Sequence, residues 1–220
     1  LGNFLFLKYM DYFKAWAKYR EMNADEWYKV FDLLKKYNAK LTVGVTATWV
    51  NYDGSSIYFN DQFPEEAEAL RHGVSMGLIE IANHGLTHCV VKDNLFRPKL
   101  FSSNRTYHRE FWEWLGEDLH HRHIKESQNI LQRFFDVDVV TLIPPGNVYC
   151  DYTVGAAKKY GIKHINCQTD DSKEGNINII SNSNIYAFHD KEIVEEGIDW
   201  LEGVLKKYQS HRHVFVRELS

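Results

Sequence analysis

The run Asn83-His84-Gly85-Leu86-Thr87-His88 places two imidazoles four residues apart, directly after a β-branched apolar stretch at residues 78–82. On a helical turn that spacing puts both rings on one face, within reach of a single metal ion. Paired histidines near turns are common, so the spacing alone is a weak pointer; its place at a strand end strengthens it. Other polar features fall at strand ends too. His189-Asp190 follows Tyr186-Ala187-Phe188, and Asp11 follows Tyr9-Met10 at the end of a first apolar run. Pro144-Pro145-Gly146-Asn147 follows the run 139–143 and forms a rigid turn whose backbone amides could face a ligand. Each feature alone has a structural explanation. Taken together, Asp11, His84, His88 and His189 point to one site that includes a divalent metal.

The elements that would position these residues alternate along the chain. Residues 3–10 read as a first strand. Asn23, with Glu26 three residues on, resembles a capping box, and Trp27, Val30, Phe31 and Leu34 then recur at helical spacing. Strands are expected at 41–46, 78–82, 137–143, 162–166, 177–180 and 185–188, with a final short one at 214–216. Helices are expected from 64 to about 72, from about 124 to 135, from 151 to 160, and as one long closing helix at 191–208. Strands separated by helices imply right-handed crossovers and a parallel sheet. About seven such strands, with no glycine fingerprint for a dinucleotide, favour a closed or nearly closed β/α barrel over an open sheet. No linker or repeat interrupts the chain, so 1–220 reads as one domain. Its one long connection, at about 91–122, is rich in aromatics (Phe96, Phe101, Tyr107, Phe111, Trp112, Trp114). Such an insertion is either a lid or binding wall, or an extra helix that packs its rings into the core. His108, His120, His121 and His123 lie within or beside it; a solvated loop is the expected setting, with ligand binding the alternative.

Composition narrows the function classes. The 220 residues are 44% hydrophobic and carry a net charge of −4, with acidic and basic residues interspersed. The nearest approach to a basic stripe is His120-His121-Arg122-His123, too short and too neutral to bind nucleic acid. Nothing approaches the roughly 20 apolar residues of a membrane span. The apolar opening at 1–7 lacks the marks of a signal peptide, and the missing initiator Met leaves the N-terminus open to being incomplete. Cys89, Cys150 and Cys167 are widely spaced and odd in number. That suits small core residues in a reducing compartment, so a cytoplasmic location is expected. Cys89, next to His88, is the one to watch.

With these residues in view, the sequence resembles the polysaccharide deacetylase (NodB-homology) family, carbohydrate esterase family four. The strand-to-HxxxH element at 79–88 resembles the family's second motif, Pro144-Pro145-Gly146 the third and Phe188-His189-Asp190 the last. Lys36-Tyr-Asn-Ala-Lys-Leu-Thr42 is similar to the helix-to-strand segment before the second motif. The motif order agrees over nearly the whole chain. This resemblance implies a distorted or incomplete (β/α)7 barrel and removal of an N-acetyl group from a sugar, polysaccharide or polysaccharide precursor. It implies a divalent metal, with zinc expected and other transition metals admissible, held by Asp11, His84 and His88. Such a metal polarises the acetyl carbonyl and activates water. His189 would protonate the departing amine, and Pro145, Gly146 and Asn147 would line the substrate.

Two departures from the family pattern bear on turnover. The first motif, Thr-Phe-Asp-Asp, begins its aspartate pair with the general base, and here the aligned run is Lys8-Tyr9-Met10-Asp11. The arginine that steadies that base is replaced by Leu142. Either another carboxylate (Asp170, Asp171 or Asp190) serves as base, or the chain is a catalytically impaired carbohydrate-binding pseudoenzyme. Hydrolysis of another amide or ester in the same metal site is a third possibility. Loss of a base typically costs about 10²–10⁴-fold and does not abolish turnover, so the enzyme reading is preferred.

Overall fold

The computed structural model describes residues 20–50, 55–88, 109–167, 172–181 and 184–219, with only the backbone at 172–174. The expected strand at 3–10, and with it Met10 and Asp11, lies outside them.

Helix α1 (Ala24–Lys36) begins as the sequence dictates. Asn23 Oδ1 accepts the Glu26 N–H at 2.9 Å, and Glu26 Oε2 accepts the Asn23 N–H at 2.9 Å. Reciprocal capping of this kind contributes about 1 kcal/mol. Its inner face buries Val30, Phe31 and Leu34. Strand β1 (Leu41–Val45) follows, then a hairpin of β2 (Thr48–Val50) and β3 (Ser56–Tyr58), the short α2 (Phe59–Gln62) and α3 (Pro64–Ser75), with Pro64 in its first turn. Strand β4 (Ile79–Asn83) is buried along its whole length. Beyond it come α4 (Glu117–Phe135), β5 (Thr141–Leu142), α5 (Asp151–Lys159), β6 (His164–Asn166), β7 (Ser172–Glu174), β8 (Ile177–Ile180), α6 (Asp190–Glu196) and α7 (Ile198–Lys207).

The main sheet runs β1-β4-β5-β6-β8-β7, parallel except for β7, which lies antiparallel to β8. This is the expected α/β arrangement. Registers of Val45 to Asn83, Asn83 to Leu142 and Leu142 to Ile165 bring the strand C-termini level. The loops after β4 and β5 therefore emerge side by side, which is where site residues were expected. One core cluster joins α1, α3 and β4, and a second gathers Phe111, Ile124, Leu142, Val154 and Ile165 between α4, α5 and the sheet.

Several expected elements differ. Residues 185–188 do not pair as a strand; Tyr186 is exposed and the Phe188 ring packs on Trp200 at 5.2 Å. The final strand at 214–216 is replaced by a 3₁₀ turn at Val216–Glu218, because side chains take its backbone donors. Thr42 Oγ1 accepts the Val216 N–H, and Glu80 Oε2 accepts that of Arg217. The single closing helix is two, broken at Gly197, whose φ of 86° suits glycine. Strand β5 is shorter than 137–143, since Gln128 Nε2 donates to the Val139 carbonyl at 2.8 Å. Helix α4 starts at Glu117, not near Ile124, so His120, His121 and His123 are helical. His120 and His123 are buried and not in a solvated loop.

Candidate metal and substrate site

The six residues from Asn83 to His88 are not a helical turn. Gly85 has φ 86° and His88 φ 57°, so the chain folds back through left-handed conformations. That compact turn, and not helical spacing, brings the His84 and His88 rings to 4.9 Å between centroids. The expected meeting of the two imidazoles is met by a different backbone.

The turn is held from both sides. On one, Ala47 N–H donates to the Gly85 carbonyl at 3.0 Å and Thr48 N–H to the Leu86 carbonyl at 2.9 Å. On the other, the Glu110 carboxylate accepts the N–H groups of Leu86, Thr87 and His88 at 2.9, 3.2 and 2.9 Å. Beneath it, Asn83 Oδ1 accepts the Gly85 N–H at 2.8 Å while its Nδ2 donates to Ser127 and Gln128 on α4. A buried turn without this full pairing would cost about 1–3 kcal/mol for each orphaned group.

His84 is fixed further by its ring. Its Nδ1 lies 2.6 Å from the Ile143 carbonyl, at the start of the loop after β5. An acceptor there assigns the proton to Nδ1 and leaves the Nε2 lone pair for a metal. Burial, helped by the charges of His88 and His189, pushes His84 down to about 3 despite the backbone hydrogen bond, although the residue keeps some solvent contact. It is therefore neutral across physiological pH, the state that binds metal. These features fit a divalent cation. Among the described residues no group of three or more His, Cys, Asp or Glu stands ready as a complete site. Asp11, the expected third ligand, lies outside them.

The other expected site residues are distributed as follows. Pro145 is buried, and Gly146 and Asn147 are exposed beside the histidine turn. The Asn147 N–H is used within its own turn, donating to the Pro144 carbonyl at 2.9 Å, so it does not face a ligand as expected. Arg109 crosses Gly146 so closely that a Cβ there would meet its Cγ at 2.6 Å. His189 is exposed in the loop before α6, not at a strand end, yet close enough to depress His84. Asp190 Oδ2 accepts the Met22 N–H at 3.3 Å and is hydrogen-bonded to Glu21. Desolvation first, then the Asp190 charge and that bond, push Glu21 up to about 8, although the residue as a whole is exposed. Asp170 and Asp171 lie outside the described residues, as does Cys89. Leu142, expected to stand where the family has arginine, is fully buried in the second core.

Sequence reasoning missed Glu110 and expected His123 in a solvated loop, whereas it is buried on α4. Glu110 sat in the aromatic insertion with no spacing signal linking it to residues 84–88. In the described part of that insertion Phe111 is wholly buried in the core and Trp114 is 57% exposed. Residues 91–108 lie outside the described residues.

Comparison with known proteins agrees with this fold. No curated protein sequence matches the chain significantly. Among solved structures, the chain is similar to a CE4 family pseudoenzyme from Bacillus anthracis (TM-score 0.53, 15% identity, 90% of this chain and 61% of that one). A mutant of that protein with restored enzymatic activity matches equally well (TM-score 0.53, 15% identity, 90% and 64%). A family 4 carbohydrate esterase from Streptomyces lividans, in complex with acetate, also shares the fold (TM-score 0.51, 13% identity, 84% and 82%). The chain thus spans about three fifths of the length of the Bacillus anthracis protein. The family model for polysaccharide deacetylase matches residues 19–165, two thirds of the chain, from before α1 into β6. The chain belongs to the polysaccharide deacetylase family, with the distorted α/β barrel that this family shares.

Proposed function

We propose that this chain removes an N-acetyl group from a carbohydrate in a metal-dependent hydrolysis, with residues 1–220 acting as one domain. The observation that carries the reading is the His84–His88 pair. Two imidazoles 4.9 Å apart sit in the one turn that follows β4, one of them neutral and fixed through Nδ1 by the Ile143 carbonyl after β5. His84, His88 and Asp11 would hold the cation, most consistently zinc. Once bound, a divalent cation polarises the acetyl carbonyl and lowers the pKa of water. Water would add to the carbonyl carbon and release its proton to solvent, the C–N bond would break, and His189 would give its proton to the amine nitrogen, leaving acetate and a free amino sugar. The exposed Gly146 and Asn147, with buried Pro145 behind them, would line the sugar. Of the candidate replacements for the base absent at Met10, Asp190 is paired with Glu21, and Asp170 and Asp171 lie outside the described residues.

A second reading, a carbohydrate-binding pseudoenzyme, is favoured by Leu142. Its burial leaves no room for the arginine that steadies the family base. Incubation of the chain with zinc and N-acetylated oligosaccharides separates the two. Slow acetate release, abolished by His84→Ala and raised by Met10→Asp, is the expected result. Sugar binding with no acetate from either the wild type or Met10→Asp would establish the second reading instead.

A further inference from the structure

Glu110 takes no part in the reaction outlined above, yet it is completely buried against the turn that carries both histidines. Its Oε1 accepts the Leu86 N–H and faces His123 Nδ1 of α4 at 2.5 Å. Its Oε2 accepts the N–H groups of Thr87 and His88. With both oxygens engaged and no solvent contact, the carboxylate cannot activate water. What it does instead is gather three successive backbone donors to one point, the arrangement in which a peptide run cradles an anion. The last of those donors belongs to His88, whose left-handed φ of 57° is unusual for a residue with a side chain. The fit is close: a Cβ on Gly85 would lie 2.0 Å from Glu110 Oε2. The carboxylate thus closes on the one residue of the turn that has no side chain.

We propose that Glu110, buttressed by His123, is a positioning residue that sets the separation and aim of the His84 and His88 imidazoles for a divalent cation. The proposal rests on the reading of those histidines as metal ligands. It differs from a general packing role in a way that a second buried carboxylate makes testable. Glu80, on the same strand system but at its opposite end, is 2% exposed and bonds Thr42, Thr141 and the Arg217 N–H. Among the described residues its hydrogen bonds hold the fold and reach neither His84 nor His88.

The test uses the full chain, titrated with Co²⁺ and followed by its visible absorption. In parallel, amide hydrogen exchange is measured at Leu86, Thr87 and His88 without metal. Glu110→Gln keeps size but replaces an acceptor oxygen with a donor. It is expected to weaken Co²⁺ binding about tenfold or more, to alter the absorption band, and to speed exchange at residues 86–88 while amides of α1 keep their protection. Glu80→Gln is expected to lower thermal stability, leaving Co²⁺ affinity and exchange at residues 86–88 unchanged. Wild-type affinity and wild-type exchange in Glu110→Gln would overturn the proposal. Should Glu110→Gln fail to fold, His123→Asn removes only the buttress and is read the same way, with a smaller shift expected. If the wild type binds no Co²⁺, the metal reading falls. Positioning is then decided by exchange alone: selective loss of protection at residues 86–88 supports it, and no loss refutes it.

Discussion

Replacing Gly85 with alanine adds a single methyl group, and the structure states what that methyl meets. Its Cβ would lie 2.0 Å from Glu110 Oε2 and 3.0 Å from Cδ of the same side chain, on a backbone at φ 86°. The left-handed conformation alone costs an L-residue about 1–2 kcal/mol. The collision forces the carboxylate outward, which leaves at least one of its three backbone donors unpaired in a buried place, at about 1–3 kcal/mol. Gly85→Ala should therefore lose about 2–5 kcal/mol, and with a slope of roughly 2–3 kcal/mol per molar the urea midpoint should fall by about 1–2.5 M. Gly203 provides the contrast. It lies exposed in α7 with nothing within 4 Å of its Cβ position. Gly203→Ala should raise stability by about 0.5–1 kcal/mol through helix propensity. If Gly85→Ala costs less than about 1 kcal/mol, the close approach of Glu110 to the turn is wrong, and the account of what shapes that turn goes with it.

Two pH effects follow from the same region, with opposite signs. The His84 imidazole, pushed down to about 3, should show no protonation in its ring NMR shifts between pH 8 and pH 5. The unfolded chain protonates it near the ordinary value, so its contribution to stability is lost as pH falls from about 6.5 towards 3. A midpoint near 6.5 in the folded protein would contradict the burial argument. Glu21 is raised from 4.5 to about 8, so between those values the fold holds a proton that the unfolded chain has released. Its contribution is complete below about 4.5 and declines as pH rises through 8; Glu21→Gln should flatten that part of the melting-temperature profile. A profile unchanged by the substitution would mean that the Glu21–Asp190 pair is open to solvent.

Much of the architecture was legible because its signals are local. Asn23 and Glu26 cap α1 through their own side chains, and the β-branched run at 78–82 forms β4 one residue displaced. Helix α4 was legible only from Ile124 onward. Its first turns bury His120 and His123, polar residues that a hydrophobic pattern does not count as core. The strands expected at 185–188 and 214–216 failed for a related reason: rings and side-chain acceptors, not neighbouring strands, claim those segments.

The sequence by itself determined that two imidazoles stand at the end of a buried parallel strand, because residue type and the β pattern before them are readable in order. It also carried the expectation that Met10 and Leu142 stand where the family has its base and its arginine. Tertiary structure decided how the imidazoles meet. A left-handed turn, not a helix, brings them together, and its shape depends on a carboxylate 22 residues further along the chain from His88. That dependence left no mark in local sequence, because backbone N–H groups donate to Glu110 whatever side chains their residues carry. Only the packing of α4 against the sheet, with His123 behind the carboxylate, brings donor and acceptor within reach.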